Sequence, residues 1–422
     1  MDCPLKKAAS SKPNALAFDG ITYEELNLEV EKTVSSLKKN GLESGHILAL
    51  HLSTSIHFIA YLFASMRIGA IFCPMSLRLP LSVVESQLNF LKPKLFISSS
   101  EIRVFEAEKV PLQGSSFLLF TSGSTNQPKC VSLTQSNFLS AATTAISVCD
   151  YQFGDAWLLS LPLHHVGGLS IIFRSVLTQA QMITDPSNLA ITHLSYVPTQ
   201  LYRSWPIYPK LKTILLSGAP IHTVPARLPI VAAYGMTETA SMILGMKSPV
   251  EKDGLIYLGF PHSNKECRRA PDGELMIRGD SLFQGYWTGE QLIAPSTWFP
   301  TKDLCLYNSE FGYAISGRKD NQFISGGENI QPEEIEKVLM GHESIQEAIV
   351  IGIPDEEFGE RPIAFIRTLK PIEKVELKKF LLDRLPKYKI PIDFIPLETP
   401  NEMKISRTYL KQSLTLERGV SK

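Results

Sequence analysis

Leu118-Leu-Phe-Thr-Ser-Gly-Ser-Thr-Asn-Gln-Pro-Lys-Cys-Val-Ser132 is an apolar strand run that breaks into a hydroxyl- and glycine-rich loop, meets a lysine and returns to strand-forming residues. Gly123 carries no Cβ to hold a phosphate away, and the loop's backbone N–H groups can converge on anionic oxygens. Thr121, Ser122, Ser124 and Thr125 add hydroxyl donors, and Lys129 brings a mobile positive charge. The order of residues is not that of the Walker loop, because no Gly-Lys-Ser/Thr follows. A Ser/Thr/Gly run by itself is equally the composition of an ordinary turn. The apolar flanks and the Pro128-Lys129 ending favour a polyphosphate site on a strand-loop-strand frame.

Around this loop, 422 residues are more than one ordinary core needs and suit two or three domains. Hydrophobic residues at 44% and charged residues at 20% describe a globular protein with ample core material. Lys and Arg number 42 against 42 Asp and Glu, so charge offers no case for nucleic acid or an anionic membrane as partner. The N-terminal Met1-Asp-Cys-Pro-Leu-Lys-Lys lacks an apolar signal core, and the expected location is cytoplasmic. Ile47 to Cys73 is apolar but interrupted by His51, Ser53, Thr54, Ser55, His57 and Arg67, which favours a buried helix and strand over membrane insertion. The six cysteines show no C-x-x-C pair, so reduced thiols are expected and neither zinc nor disulfides.

Strand runs at 47–52, 70–73, 94–97, 117–120, 156–160, 193–197 and 213–216 alternate with helical patterns such as Leu26–Leu37. The expected fold class is α/β: a large N-terminal domain of mixed, largely parallel sheets packed with helices, followed by a small mobile α+β domain. The texture changes at Gly317-Arg-Lys-Asp320, so the boundary is expected at 317/318, giving domains 1–317 and 318–422. The second begins with the glycine loop Ser325-Gly-Gly-Glu328 and a helix opening at Gln331-Pro-Glu-Glu.

Other stretches carry chemistry-bearing residues. Leu161-Pro-Leu-His-His-Val-Gly-Gly168 sets His164 and His165 beside Gly167, where a backbone can approach a ligand. Ser217-Gly-Ala-Pro220 is a turn, and Tyr234-Gly-Met-Thr-Glu238 offers an aromatic face, a hydroxyl and a hard carboxylate oxygen in five residues. Asp303 and Arg318 are a carboxylate and a guanidinium that by themselves could be a solvated loop acid and a surface ion pair. Lys404 lies between apolar neighbours in Pro400-Asn-Glu-Met-Lys-Ile-Ser-Arg407.

Taken in this order along the chain, these motifs resemble those of the adenylate-forming superfamily of acyl-CoA synthetases, peptide adenylation domains and luciferases. The resemblance implies ATP and Mg2+ as cofactors and CoA as co-substrate. It places the ATP phosphates on Thr121, Ser122, Gly123, Ser124, Thr125 and Thr237, adenine on Ser217, Gly218, Ala219, Pro220 and Tyr234 with Gly235 and Met236 beside it, and ribose on Asp303 and Arg318. Glu238 is the implied Mg2+ ligand. Lys129, His165 and Lys404 are the implied catalytic residues, with His164, His165 and Gly167 lining the acid pocket. Asp320 is the implied hinge, and Gly326 and Gly327 the wall of a tunnel for the CoA thiol arm. Departures from the pattern put Asn126, Cys130, Lys302 and Met403 where glycines are usual.

Val197-Pro-Thr-Gln-Leu201 and the short length narrow the resemblance to AMP-forming acid–thiol ligases that act on 2-succinylbenzoate in menaquinone biosynthesis. That acid carries two carboxylates, and Arg174, alone in the apolar run Leu169–Ser175, is the expected partner of the second one. An internal ion pair with a protein acid is the other reading of Arg174. Alternatives for the chain are another acyl- or aryl-CoA ligase, separable by a substrate panel, and an inactive ATP-binding homologue, separable by Lys404→Ala. The expected partners are small molecules, with homo-oligomerisation left open.

Overall fold

The computed structural model describes residues 3–397 and 406–417, apart from 113, 115, 122–128, 204–207, 222, 226 and 263. The predicted site residues Ser122, Gly123, Ser124, Thr125 and Lys404 therefore lie outside the described residues.

Two eight-stranded sheets form the bulk of the molecule. In the first, the strands Ile230–Met236, Thr213–Leu216, His193–Tyr196, Ala156–Leu158, Gln181–Ile183 and Leu16–Phe18 are parallel neighbours in that order. Antiparallel strands Ser241–Lys247 and Ile21–Thr22 close its two sides. The second sheet has a parallel centre at Phe117–Thr121, Ile71–Pro74, Ile47–His51 and Leu95–Ser98, with antiparallel strands, among them Lys129–Leu133, on the outside. The near-continuous apolar runs of these central strands suit parallel strands covered on both faces.

Helices Ile56–Ile68, Gln135–Cys149 and Val166–Thr178 contribute to one core with both sheets. Phe138 and Phe173 stack at 4.9 Å between ring centroids, and Phe117 meets Phe138 edge-on at 4.7 Å. Helix Tyr23–Lys39 begins with a capping box in which the Glu25 N–H donates to Thr22 Oγ1 and the Thr22 N–H to Glu25 Oε2.

A third sheet supplies much of the antiparallel part of the mixed arrangement. Its strands Lys265–Arg269, Glu274–Gly279, Phe299–Asn308 and Gly312–Arg318 are antiparallel throughout. Beyond it, Phe323–Ser325, Glu328–Ile330, Ile345–Asp355, Gly359–Thr368 and Phe394–Pro396 form a small sheet covered by helices Pro332–Met340 and Lys374–Leu382. Its buried residues group separately from the large core. No helix among the described residues is long and apolar enough to cross a membrane.

Candidate functional site

In the first sheet, the parallel strands determine where the motifs fall. Ser160–Gly168 follows the C-terminal end of Ala156–Leu158, Val197-Pro-Thr-Gln200 follows His193–Tyr196, and Ser217–Pro220 follows Thr213–Leu216. Tyr234–Met236 ends the adjacent strand and Thr237–Glu238 opens a single turn of 3-10 helix. All four motifs thus share one edge, the edge at which open α/β sheets bind ligands. A cavity of about 270 Å3 opens there, lined by residues including Ser160, Thr184, Tyr196 and Gln200.

Two linked clusters stand at this edge. In one, Tyr234 Oη donates to Asp303 Oδ2 at 2.6 Å and Arg318 Nη1 donates to Asp303 Oδ1 at 3.1 Å. Asp303 and Arg318 are cross-strand partners in the third sheet. Burial, and then the Asp303 charge, push the Tyr234 phenol well above its ordinary pKa, so it stays a donor. Arg318 also grips Asp320 at 2.8 and 3.0 Å, and that hydrogen bonding raises its own pKa.

The backbone beside Asp303 takes a conformation that favours glycine. Lys302 takes a left-handed φ of 62°, and its N–H donates to Glu274 Oε1 at 2.8 Å. A glycine would adopt that conformation without the Cβ penalty.

The second cluster joins Lys129 to the Glu238 carboxylate through Tyr286. Lys129, paired with Thr121 at the loop's base, sets its Nζ 4.7 Å from the centroid of the Tyr286 ring. Tyr286 Oη donates to Glu238 Oε1 at 2.7 Å, and the Phe283 N–H donates to the Glu238 carbonyl at 2.8 Å. Burial and the Glu238 charge hold the Tyr286 hydroxyl protonated. Among the described residues no hydrogen bond reaches Glu238 Oε2. A hard carboxylate oxygen joined through Tyr286 to Lys129 fits Mg2+, which takes one or two carboxylates plus substrate phosphates. Tyr286 was not foreseen, although Gly285-Tyr-Trp287 is a compact aromatic signal.

Glycines supply clearance in the same places. A Cβ on Gly235 would fall 1.6 Å from the Ser241 carbonyl oxygen, and one on Gly168 would fall 2.3 Å from that of Pro162. His164 and His165 lie with ring centroids 4.2 Å apart at the start of helix Val166–Thr178, beside Gly167. Burial, with added repulsion from His165, Arg78 and His51, pushes the His164 pKa down to about 4. At neutral pH His164 therefore offers a hydrogen bond and no charge.

Arg174 is 1% exposed and stands nine residues after His165, but its side chain runs back toward the start of the helix. Its Nε donates to the Ser170 carbonyl at 2.9 Å, its Nη2 to Ser170 Oγ at 2.6 Å, and the guanidinium lies 4.2 Å from the Trp157 ring centroid. Nη1 is buried without a hydrogen-bond partner, and no carboxylate pairs with the group among the described residues. Burial pushes its pKa down to about 10. The internal ion pair is thus not met among the described residues: the guanidinium folds back onto Ser170, whose hydroxyl donates to the Gly167 carbonyl at 3.1 Å, and Nη1 is left unpaired.

Gly326 and Gly327 form the tip of a hairpin with φ of 58° and 84°. Gly326 faces the Phe358 ring, and its N–H donates to the Phe358 carbonyl at 2.8 Å. Among the described residues no hydrogen bond joins this tip to the nucleotide clusters.

The chain belongs to the AMP-binding enzymes: that family model matches residues 5–115 and 104–287, and the model for the AMP-binding enzyme C-terminal domain matches residues 334–402. It is 32% identical to 2-succinylbenzoate–CoA ligase of Haemophilus influenzae, over 93% of this chain and 92% of that one. It is 31% identical to the ligase of the same name from Escherichia coli, over 93% of each. Among solved structures, a variant of E. coli MenE with bound OSB-AMS superposes with a TM-score of 0.85 at 27% identity, covering 98% of both chains. The Bacillus subtilis o-succinylbenzoate CoA synthetase with ATP and magnesium ion gives 0.82 at 26% identity, covering 97% of this chain and 99% of that one.

Proposed function

We propose that the chain joins 2-succinylbenzoate to CoA with ATP, giving 2-succinylbenzoyl-CoA, AMP and pyrophosphate, as a cytoplasmic enzyme of menaquinone biosynthesis. The observation that carries this reading is full-length similarity to ligases named for that acid. The two clusters at one sheet edge support it, because they offer a phosphate side and a ribose side to a single nucleotide.

In the first half-reaction the succinyl carboxylate attacks the α-phosphorus of ATP and pyrophosphate leaves, converting a poor electrophile into a mixed anhydride. Charge in the transition state spreads over phosphoryl oxygens, so placed cations contribute most. We assign that work to Lys129 and, by its place in the sequence, Lys404. Mg2+ bound at Glu238 would neutralise phosphate charge. Tyr286 holds the Glu238 carboxylate and flanks the Lys129 ammonium, while Tyr234 and Arg318 orient Asp303 for the ribose. His164, neutral at pH 7, hydrogen-bonds the acid without trapping it as an ion pair. In the second half-reaction the CoA thiol attacks the acyl carbon and AMP leaves. We assign its approach to the Gly326-Gly327 tip, after residues 318–422 turn about Asp320.

Pyrophosphate release with ATP and Mg2+, comparing 2-succinylbenzoate, benzoate and a medium-chain fatty acid with and without CoA, tests the reading. Release with 2-succinylbenzoate, and thioester only with CoA, is expected. Release with another acid alone would move the substrate, and silence with all three would overturn the activity.

A further inference from the structure

On the reading of Asp303 as the ribose contact, we propose that Glu274 is its positioning residue: one carboxylate holds both the residue before Asp303, Lys302, and the residue after Arg318, Lys319. The nucleotide would not touch Glu274, which acts through the pair it grips.

Asp303 does not sit in a regular ladder. Met276 pairs with Pro300 and Glu274 with Leu304, so a two-residue step on strand Glu274–Gly279 meets a four-residue step on strand Phe299–Asn308. Residues 301–303 therefore swell out as a bulge, a device by which sheets re-aim a side chain. Lys302 stands at its centre with φ of 62° and an exposed side chain, between the buried Thr301 and Asp303. A lysine gains nothing from a left-handed backbone, so its surroundings must over-determine it.

They do so from one neighbouring strand. Glu274, 7% exposed, accepts the Lys302 N–H on Oε1 at 2.8 Å. The carbonyl of the next residue, Leu275, accepts from Thr301 Oγ1 at 2.7 Å, and Thr301 Oγ1 accepts the Asp303 N–H at 3.1 Å. With the bulge tied in this way, the Asp303 carboxylate meets Tyr234 Oη on one oxygen and Arg318 Nη1 on the other.

The second oxygen of Glu274 serves the partner strand. Its Oε2 accepts from Lys319 Nζ at 3.0 Å, and the same ammonium reaches Asp272 Oδ2 at 2.6 Å. Lys319 follows directly on Arg318, where strand Gly312–Arg318 ends and where Asp303 and Arg318 are cross-strand partners. Glu274 thus grips the pair on both flanks, through a backbone N–H on one and a side chain on the other. The Lys319 grip is open to water and weakened by it, so the Lys302 grip carries the larger effect.

Glu274→Ala, Glu274→Gln and the double variant Glu274→Ala/Lys302→Gly are compared with wild type by calorimetric binding of AMP and of 2′,3′-dideoxy-AMP, which lacks both ribose hydroxyls. No acid substrate enters. Wild type should prefer AMP by ~10-fold or more, as hydrogen bonds to a charged group allow. In Glu274→Ala the preference should fall to about threefold or less through weaker AMP binding, with the dideoxy nucleotide changed by less than about twofold. Glu274→Gln keeps an acceptor for the Lys302 N–H and should retain most of the preference. Lys302→Gly removes the need for support at the left-handed turn, so the double variant should regain a preference of at least about fivefold. Equal weakening for both nucleotides, an unchanged preference in Glu274→Ala, or no recovery in the double variant would overturn the inference. A wild type without preference would overturn the ribose reading itself, and amide exchange in nucleotide-free protein separates that failure from failure of the grip. The Lys302 amide should exchange about tenfold faster in Glu274→Ala, with Ile277 unchanged. Unaltered exchange at Lys302 would overturn the grip whatever the nucleotide.

Discussion

Arg174 and Arg407 are both arginines held away from water, yet the protein treats them in opposite ways. Arg174 stands on helix Val166–Thr178 with Ser170 and the Trp157 ring for company and no carboxylate, and burial pushes its pKa down to about 10. Arg407 suffers the same burial, but Glu336 and Glu333 outweigh it and hold the charge firmly. One guanidinium keeps an unpaired N–H; the other is the reason two glutamates can be buried. Enclosure alone therefore does not say what a buried arginine serves, whereas the groups it pairs with or leaves unpaired do.

The largest expected difference is in stability. Arg407→Met would leave Glu333 and Glu336 enclosed together without a counter-charge, and breaking a buried pair this way costs about 3–5 kcal/mol. Arg174→Met removes a lone buried cation of similar volume, giving up two hydrogen bonds and a ring contact. It should change stability by only about 1 kcal/mol. Denaturant unfolding of the two variants checks this, and equal costs would erase the distinction.

A second difference is functional. Arg174→Met should raise KM for 2-succinylbenzoate more than KM for ATP, because Nη1 has no protein acceptor and the guanidinium lies on Ser170, which bonds Gly167. Equal effects on both would leave Arg174 a core residue and sharpen the comparison.

Much of this contrast was within reach of the sequence. The phosphate loop, Tyr234–Glu238 and Asp303 are readable because they concentrate hydroxyls, an aromatic and acids in short runs between apolar strands. The setting of Arg174 is harder to read, because a long side chain can fold back along its helix, as this one does onto Ser170. Its apolar neighbours fit a pocket wall and a core equally well, and only packing separates them. The antiparallel sheet of residues 265–318 was illegible for another reason. Lys265-Glu-Cys-Arg-Arg269 reads as a solvated charge run, yet Lys265 is buried and donates to the Ser140 carbonyl and Thr144 Oγ1. Tyr286 escaped because its meaning lies in Glu238, 48 residues earlier. Arg407 gains its role from Glu333 and Glu336, more than 70 residues away.

The smallest expected effect is a change in acid sensitivity around Arg174. His193 shares the Trp157 ring with it, at 5.0 Å between centroids, and burial pushes the His193 pKa down to about 4. The Arg174 charge contributes to that depression. Between about pH 4 and 6.5 the unfolded chain binds a proton at this histidine that the folded chain refuses, so stability falls as pH falls through that window. Removing the neighbouring charge should let the folded histidine accept its proton at higher pH and shorten the window. Arg174→Met should thus lose less stability than wild type between pH 6.5 and 4.5, by ~0.5 kcal/mol. Arg407→Met, far from any depressed histidine, should follow the wild-type slope over the same range. If Arg174→Met follows it too, the orphan guanidinium is screened from its own core, and the electrostatic half of the contrast with Arg407 fails.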